Sequence, residues 1–440
     1  MAAVLGIVLR WWSLGSGGLS FDEAFTAAYA QLPLSDIPDA LRAHDSHPPL
    51  DYALRHWLAD APSAWLLRAP SAVFSTLALL LVVAWMRRRS WFGLAVIVLF
   101  ALSPFQLLYG RQARMYALMA LLGVALAMAS ERWWTGDRRR GLVVGVGVLL
   151  AIACLNHVGG LFLAVGVFAL PGLRRDQDAW RWRAAPVAGT LIWLVVWAPS
   201  FLAQTKVSSS SWIPLTSPST VASTLGGLAS FVTEMNWLTA SLLVAGMLCV
   251  RSVDRTLGRL VLCLFGVPFV LLAVAGLHFH AFVPRTLAGS AWVAPVALAA
   301  LVTSLWERRV ALGVSAAVIV VAITARSSLR AVTFDEGAST AVRLGVAAVA
   351  PGDGLFVHPN WWWPLATWNG ATGDRVGAPP PAALDDADGW YWVRPGAHAT
   401  GRTWILRPPS YDFDTARWPG CGTVDLGEDW VVDCVVTGSS

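Results

Sequence analysis

The residues able to do chemistry stand in a few short polar stretches between long apolar ones. An acidic pair, Asp22 and Glu23, lies in Leu19-Ser20-Phe21-Asp22-Glu23-Ala24-Phe25, and His47 precedes Pro48-Pro49-Leu50. Arg111 and Arg114 lie in Tyr109-Gly110-Arg111-Gln112-Ala113-Arg114-Met115-Tyr116, His157 follows Asn156, and Arg285 lies in Val283-Pro284-Arg285-Thr286-Leu287. A carboxylate beside hydrocarbon is pushed toward the working range of a general base. A guanidinium offers a planar fork of donors that matches phosphate oxygens. Together these types suit proton abstraction next to a phosphate group. Each also has a plainer reading. Asp22 and Glu23 suit the start of a helix near Ala24. Arg111, Arg114 and Arg285 could snorkel to a membrane interface, His47 could simply be solvated, and a structural role suits His157. Asp45 and Asp51 balance charge around His47. His278 and His280 alternate as metal ligands on a strand would, but no further ligand cluster accompanies them.

The elements that must position these residues are membrane spans. Of the 440 residues, 56% are apolar and 13% charged, and the mean hydropathy is +0.58. Soluble domains carry about a quarter charged residues. Apolar runs that reach or approach the roughly 20 residues of a span fall at 1–14, 64–86, 91–109, 115–133, 141–154, 157–171, 186–203, 230–250, 260–277, 286–305 and 309–325, about eleven in all. Residues 1–14 lack the cleavage site of a secretory signal and read as an uncleaved first span. Every second connection carries the arginines: Arg87 to Arg89, Arg132 to Arg140, Arg174 to Arg183, Arg251 to Arg259, and Arg308 with Arg309. The positive-inside rule puts these in the cytoplasm. The N-terminus is then inside, and the first long loop (15–63) and the C-terminus are outside. The net charge of +5 is accounted for by this topology. Arginines interleaved with aromatics on a polar segment, the mark of nucleic-acid binding, are not seen.

All the candidate residues fall on the outer side. Within the first loop, 21–31 and 34–43 read as short amphipathic helices in the interface, and Pro48 with Pro49 favours extended backbone before the second span. Residues 204–229 read as an outer connection. Residues 1–325 form the membrane domain and 326–440 a small outer α/β domain, with a helix at 336–349 and strands at 355–358, 390–394, 403–406 and 430–436. Of five cysteines, Cys154, Cys249 and Cys263 fall in spans. Cys421 and Cys434 remain for a disulfide in an oxidising compartment. The tail tryptophans, Trp361 to Trp363 among them, suit an interface belt or core packing better than a sugar platform.

In their order, the acidic pair after the first span, His-Pro-Pro-Leu before the second and Ala-Arg-Met-Tyr opening the fourth resemble the bacterial family 39-like glycosyltransferases. These are relatives of the protein O-mannosyltransferases and the lipid A aminoarabinose transferases within the GT-C superfamily. The resemblance covers residues 1–325 and departs from the family at Gln112, where Glu is usual, and at Thr286, where Tyr is common. It implies an inverting membrane glycosyltransferase that moves a monosaccharide from a polyprenyl-phosphate carrier to a glycolipid, polysaccharide or protein acceptor outside the cell membrane. It also implies Asp22 as the base with Glu23 beside it, and His47, where the aminoarabinose transferases have Lys, among the phosphate ligands with Arg111, Arg114 and Arg285. His157 matches a recurring family histidine. No cofactor is required, and a divalent metal stays open. The competing readings are a transporter or flippase for a lipid-linked sugar, which would need charges at mid-membrane depth, and a non-catalytic scaffold.

Overall fold

The apolar stretches are helical in the computed structural model because a helix satisfies its own backbone hydrogen bonds, as the bilayer interior demands. The structure describes residues 1–333 apart from 17, 45–46, 60–62, 174–178, 205–212 and 231–234, and beyond them residues 344 and 347 and five strands. Two units result, one of residues 1–14, 33–57 and 65–334 and the other of 15–32, 58–64 and 335–440.

Helix α1 (Ala2–Trp11) opens the first unit, and α2 (Phe21–Ala30) belongs to the second. Next come α3 (Ile37–His44) and α4 (Leu50–Ala59). The sequence reading had no helix at α4. The amide of Ala53 donates to the Pro49 carbonyl at 3.0 Å, so the proline pair begins a helix it could not have continued. Helix α5 (Ala64–Met86) coincides with the expected second span, and its 23 residues reach about 35 Å.

The expected single span 91–109 is corrected to α6 (Ser90–Ala101) and α7 (Pro104–Tyr109). Pro104 lacks an amide donor, and Ser103 caps the new start by accepting from Gln106 N at 3.4 Å. The carbonyls freed at the break are taken by Arg10 of α1, a fully buried side chain. Its guanidinium donates to Ala101 O at 3.0 Å, Phe100 O at 3.4 Å and Ser75 Oγ at 2.8 Å.

The chain continues through α8 (Tyr116–Trp134), α9 (Arg140–Asn156) and α10 (Gly159–Ala169) to α11 (Ala179–Val196) and α12 (Ala198–Gln204). Helix α11 has 18 residues, as many as the expected 186–203, but starts and ends earlier, with α12 following after a break. Residues 204–229 are not a plain connection, since α13 (Pro218–Ala229) occupies their second half. Ser217 and Thr220 close a capping box around it, with proline at the first turn. Helices α14 (Asn236–Val253), α15 (Arg255–Val261) and α16 (Val267–Ala275) follow, the last two joined by a π-helical turn. A 3-10 segment, Pro284–Ser290, meets α17 (Val293–Arg308) at a bend of 74°, and α18 (Val310–Thr333) ends the unit.

Among the described residues, Ala64–Met86, Asn236–Val253, Arg255–Ala275 and Val310–Val332 are long and apolar enough to cross a membrane, and the bent pair before and in α17 makes up to five. The chain is a multi-pass membrane protein. Other expected spans correspond to shorter apolar helices, such as α1 with 10 residues and α6 with 12. The arginine-bearing connections are tied to one another by ion pairs. Arg89 pairs with both Glu131 and Asp254, and Asp254 also caps α15, accepting from Thr256 N at 2.9 Å. Arg138 lies 4.4 Å over the Trp133 ring, which stacks on Trp182 at 4.8 Å.

In the second unit, α2 begins with a capping box, and five strands form one sheet. They are β1 (Gly354–Val357), β2 (Tyr391–Arg394), β3 (Arg402–Arg407), β4 (Thr423–Gly427) and β5 (Trp430–Val436), in the order β2-β1-β3-β5-β4. Strands β1 and β3 are parallel, and the other pairs are antiparallel. Strand β4, with Asp425 at its centre, was not expected. Of the helix expected at 336–349 only residues 344 and 347 are described, both helical, and Trp361 to Trp363 and the Cys421–Cys434 link lie outside the described residues, although the backbone of Cys434 sits opposite Trp404.

Candidate active site

The segment Arg114-Met115-Tyr116, which leads into α8, is held at its backbone from two sides. On one side Arg55 of α4, fully buried, donates to the Arg114 carbonyl at 3.3 Å. The same guanidinium donates to Ser71 Oγ at 2.8 Å and grips both carboxylate oxygens of Asp51 at 3.0 and 3.1 Å. Asp51 thus has the charge-balancing role expected of it, with Arg55 as partner. On the other side Asn156 Nδ2 donates to the Met115 carbonyl at 2.9 Å. Buried backbone acceptors so saturated cannot shift without losing several bonds at once.

Side chains converge on that segment. The Arg114 guanidinium, 4% exposed, donates to the Tyr52 hydroxyl at 3.2 Å. The Tyr116 ring meets the His157 ring edge-on at 5.7 Å, and the Arg285 guanidinium lies 6.0 Å over the Tyr116 ring. The His47 and His157 rings are 5.0 Å apart. His157 Nδ1 accepts from Gly159 N at 2.9 Å, which leaves Nε2 to carry the proton of the neutral ring. Arg285 and His157 therefore flank Tyr116, His47 stacks beyond His157, and the Arg114 side chain is turned to Tyr52. Two glycines let the Arg285 segment approach. A Cβ on Gly123 would lie 1.7 Å from Gly289 O, and one on Gly159 would lie 2.5 Å from Thr286 O. Neither position has room for any side chain.

Arg111 is placed differently. It donates to Val332 O at 2.7 Å, Trp12 O at 2.7 Å and Ser13 O at 3.4 Å. These are carbonyls at the C-terminal ends of α18 and α1, where a cation suits the helix dipole, so the structure gives Arg111 a bracing role. In the second unit, Glu23 is 1% exposed and completes the capping box of α2: Ser20 N donates to Glu23 Oε2 at 2.9 Å, and Glu23 N to Ser20 Oγ at 3.3 Å. The plainer reading of Glu23 is thereby met. Asp22, next to it, is half-buried in the first turn, and its carbonyl accepts from Thr26 Oγ1. Among the described residues no group of three or more His, Cys, Asp or Glu could hold a metal ion. His280 Nδ1 bonds instead to the Ile213 carbonyl.

No family model and no curated protein sequence matches the chain. Solved structures do. Apo ArnT from Cupriavidus metallidurans aligns over 100% of this chain and 98% of its own, with TM-score 0.59 and 13% identity. The same enzyme bound to undecaprenyl phosphate aligns with TM-score 0.55, again at 13% identity over 100% and 98% of the two chains. The chain shares the fold of ArnT. Within that fold, sequence reasoning missed Tyr52, Arg55, Gly123 and Asn156 as supports of the site. One signal was available, because Asp51 and Arg55 stand four residues apart directly after a proline pair, the spacing of an ion pair on a helix. Gly123 had none, being one small residue in an apolar run.

Proposed function

We propose that the chain is an inverting glycosyltransferase that moves a monosaccharide from a polyprenyl-phosphate carrier to an envelope acceptor on the outer face of the cell membrane. The observation that supports this reading is the pair Arg285 and His157 on Tyr116, with His47 beside His157, in a chain that shares the fold of ArnT; with Arg114 two residues before Tyr116 they offer donors suited to the phosphate of a lipid carrier. ArnT, which shares the fold, was solved with undecaprenyl phosphate bound. The reading keeps the count of about eleven spans, the inside N-terminus and the outer α/β domain of residues 326–440 expected from the sequence.

In the proposed reaction Asp22, assigned by its match to the family motif, takes the proton of the acceptor hydroxyl. The hydroxyl oxygen forms a bond to the anomeric carbon while the carbon–oxygen bond to phosphate breaks. The electron pair leaves with the polyprenyl phosphate, and Arg114 and Arg285 stabilise the charge it gains. One displacement inverts the anomeric carbon, and no sugar becomes attached to the enzyme. The test is to give the purified chain a set of undecaprenyl-phosphate sugars with envelope lipid extract and to measure release of undecaprenyl phosphate. Turnover of one sugar, with inverted product, is expected. Carrier flipping without cleavage in vesicles would replace this reading with the flippase one.

A further inference from the structure

A cavity of about 420 Å³ opens where α8 gives way to α9, among residues that take no part in the proposed transfer. Its lining has two characters. Arg132 and Arg139 are charged and more than half exposed, while Gly141, Gly145, Val146 and Leu149 are apolar. A Cβ on Gly141 or Gly145 would meet no atom within 4 Å. These glycines therefore leave open space, unlike Gly123, whose missing side chain admits a neighbouring backbone.

The charged end favours an anion. Arg139 is the N-cap of α9, and no side chain caps that end, so the first amides of a 17-residue helix add a partial positive charge. Exposed Arg140 stands beside it. The facing carboxylate among the described residues is Asp137, which accepts from Arg132 Nη2 at 2.9 Å and from Arg139 Nε and Nη2 at 3.0 and 2.8 Å. The hydrogen bonds from Arg139 first, and then that from Arg132, hold its carboxyl well below the usual carboxylate range. Asp137 thus stays ionised and orients both guanidiniums, yet it is one negative charge against Arg132, Arg139 and Arg140. Each guanidinium has five donor hydrogens, more than Asp137 engages.

We propose that this cavity binds one anionic phospholipid of the surrounding bilayer, its phosphodiester on Arg132, Arg139 and the first turn of α9 and an acyl chain along Gly141, Gly145, Val146 and Leu149. The volume is within the range of about 300 to 1,000 Å³ usual for small-molecule pockets. Charge complementarity selects the occupant: inorganic phosphate would use only the cationic end, and a zwitterionic lipid would leave the excess positive charge unmatched. The inference rests on the membrane reading and not on the transferase reading, so either can fail alone.

The experiment is native mass spectrometry of the detergent-purified full chain, titrated with phosphatidylglycerol and with phosphatidylcholine of the same acyl chains. Phosphatidylglycerol should bind at a concentration roughly tenfold lower or more, as charge-assisted contacts allow. The double variant Arg132→Gln with Arg139→Gln should bring the two lipids level. Gly145→Leu, which fills the apolar end where there is room for it, should lose phosphatidylglycerol with the charge unchanged, and Arg139→Lys should keep part of the preference. Should the double variant fail to show the wild-type unfolding midpoint, Gly145→Leu and Arg139→Lys decide the matter. Equal binding of the two lipids to the unaltered chain, or phosphatidylglycerol binding untouched by Gly145→Leu, would overturn the proposal. So would displacement of phosphatidylglycerol by undecaprenyl phosphate with the same variant dependence, because the groove would then belong to the carrier.

Discussion

Single residues divide by what they touch. A base and a phosphate clamp should fail differently when removed. Asp22→Asn keeps size and hydrogen bonding but removes the proton acceptor, so turnover should fall by about a hundredfold or more while carrier binding survives. Arg285→Ala removes a charge-assisted contact of about 1.5 to 3 kcal/mol, so binding and turnover should drop together. Steady-state transfer and carrier titration on both variants check this. Near-normal transfer by Asp22→Asn together with loss in Glu23→Gln would move the base to Glu23, whose carboxylate is already engaged by the Ser20 amide. Arg55 makes a second case. Arg55→Leu leaves Asp51 buried without its partner and should destabilise the fold by about 3 to 5 kcal/mol. Replacing both residues by apolar ones of similar volume should recover much of that, as thermal unfolding would show. Arg55→Lys retains the charge but not the fork that reaches Asp51, Ser71 and the Arg114 carbonyl, so it should fold while transfer falls.

At the scale of elements, what was legible in the sequence depended on whether a signal is local. The span at 64–86 was read to the residue because hydropathy alone defines it. The break between α6 and α7 was announced by Ser103-Pro104 and hidden by the apolar residues around it. Helix α13 carried its capping box in plain sight but sits in a polar, Ser- and Thr-rich stretch that reads as connection. The candidates His47, Arg114, His157 and Arg285 were found because charge stands out against hydrocarbon. Their supports Tyr52, Asn156 and Gly123 were not found, because they matter only through partners far along the chain. The backbone contact of Gly123 with Gly289 yields a sharp expectation. Gly123→Ala drives a methyl into the Gly289 backbone and not into a flexible side chain, so the Pro284–Ser290 segment must move, and Arg285 lies within it. Carrier affinity should fall at least as far as in Arg285→Ala, although residue 123 touches no substrate. Unchanged affinity would show that the segment yields freely.

For the whole molecule, the proposed orientation rests on the arginine pattern, and Arg89 ties together Glu131 and Asp254 from two other arginine-bearing connections. A cysteine in place of Ser35 should react with an impermeant maleimide on intact cells, and one in place of Thr135 only after permeabilisation. The reverse result would put the candidate site on the wrong side of the membrane for an outer acceptor. Arg10 bears on how such a chain is made. Its helix has 10 residues, about 15 Å, too short to cross alone. Arg10 stands in the last turn of that helix and is fully buried, so its guanidinium needs acceptors from the protein. The groups that satisfy Arg10 beyond its own helix are 65 to 91 residues later in the chain. When α1 leaves the ribosome, none of them has yet been made. The seat of Arg10 is therefore complete only once α5 and α6 are in place, so the seating of α1 depends on helices that follow it in the chain.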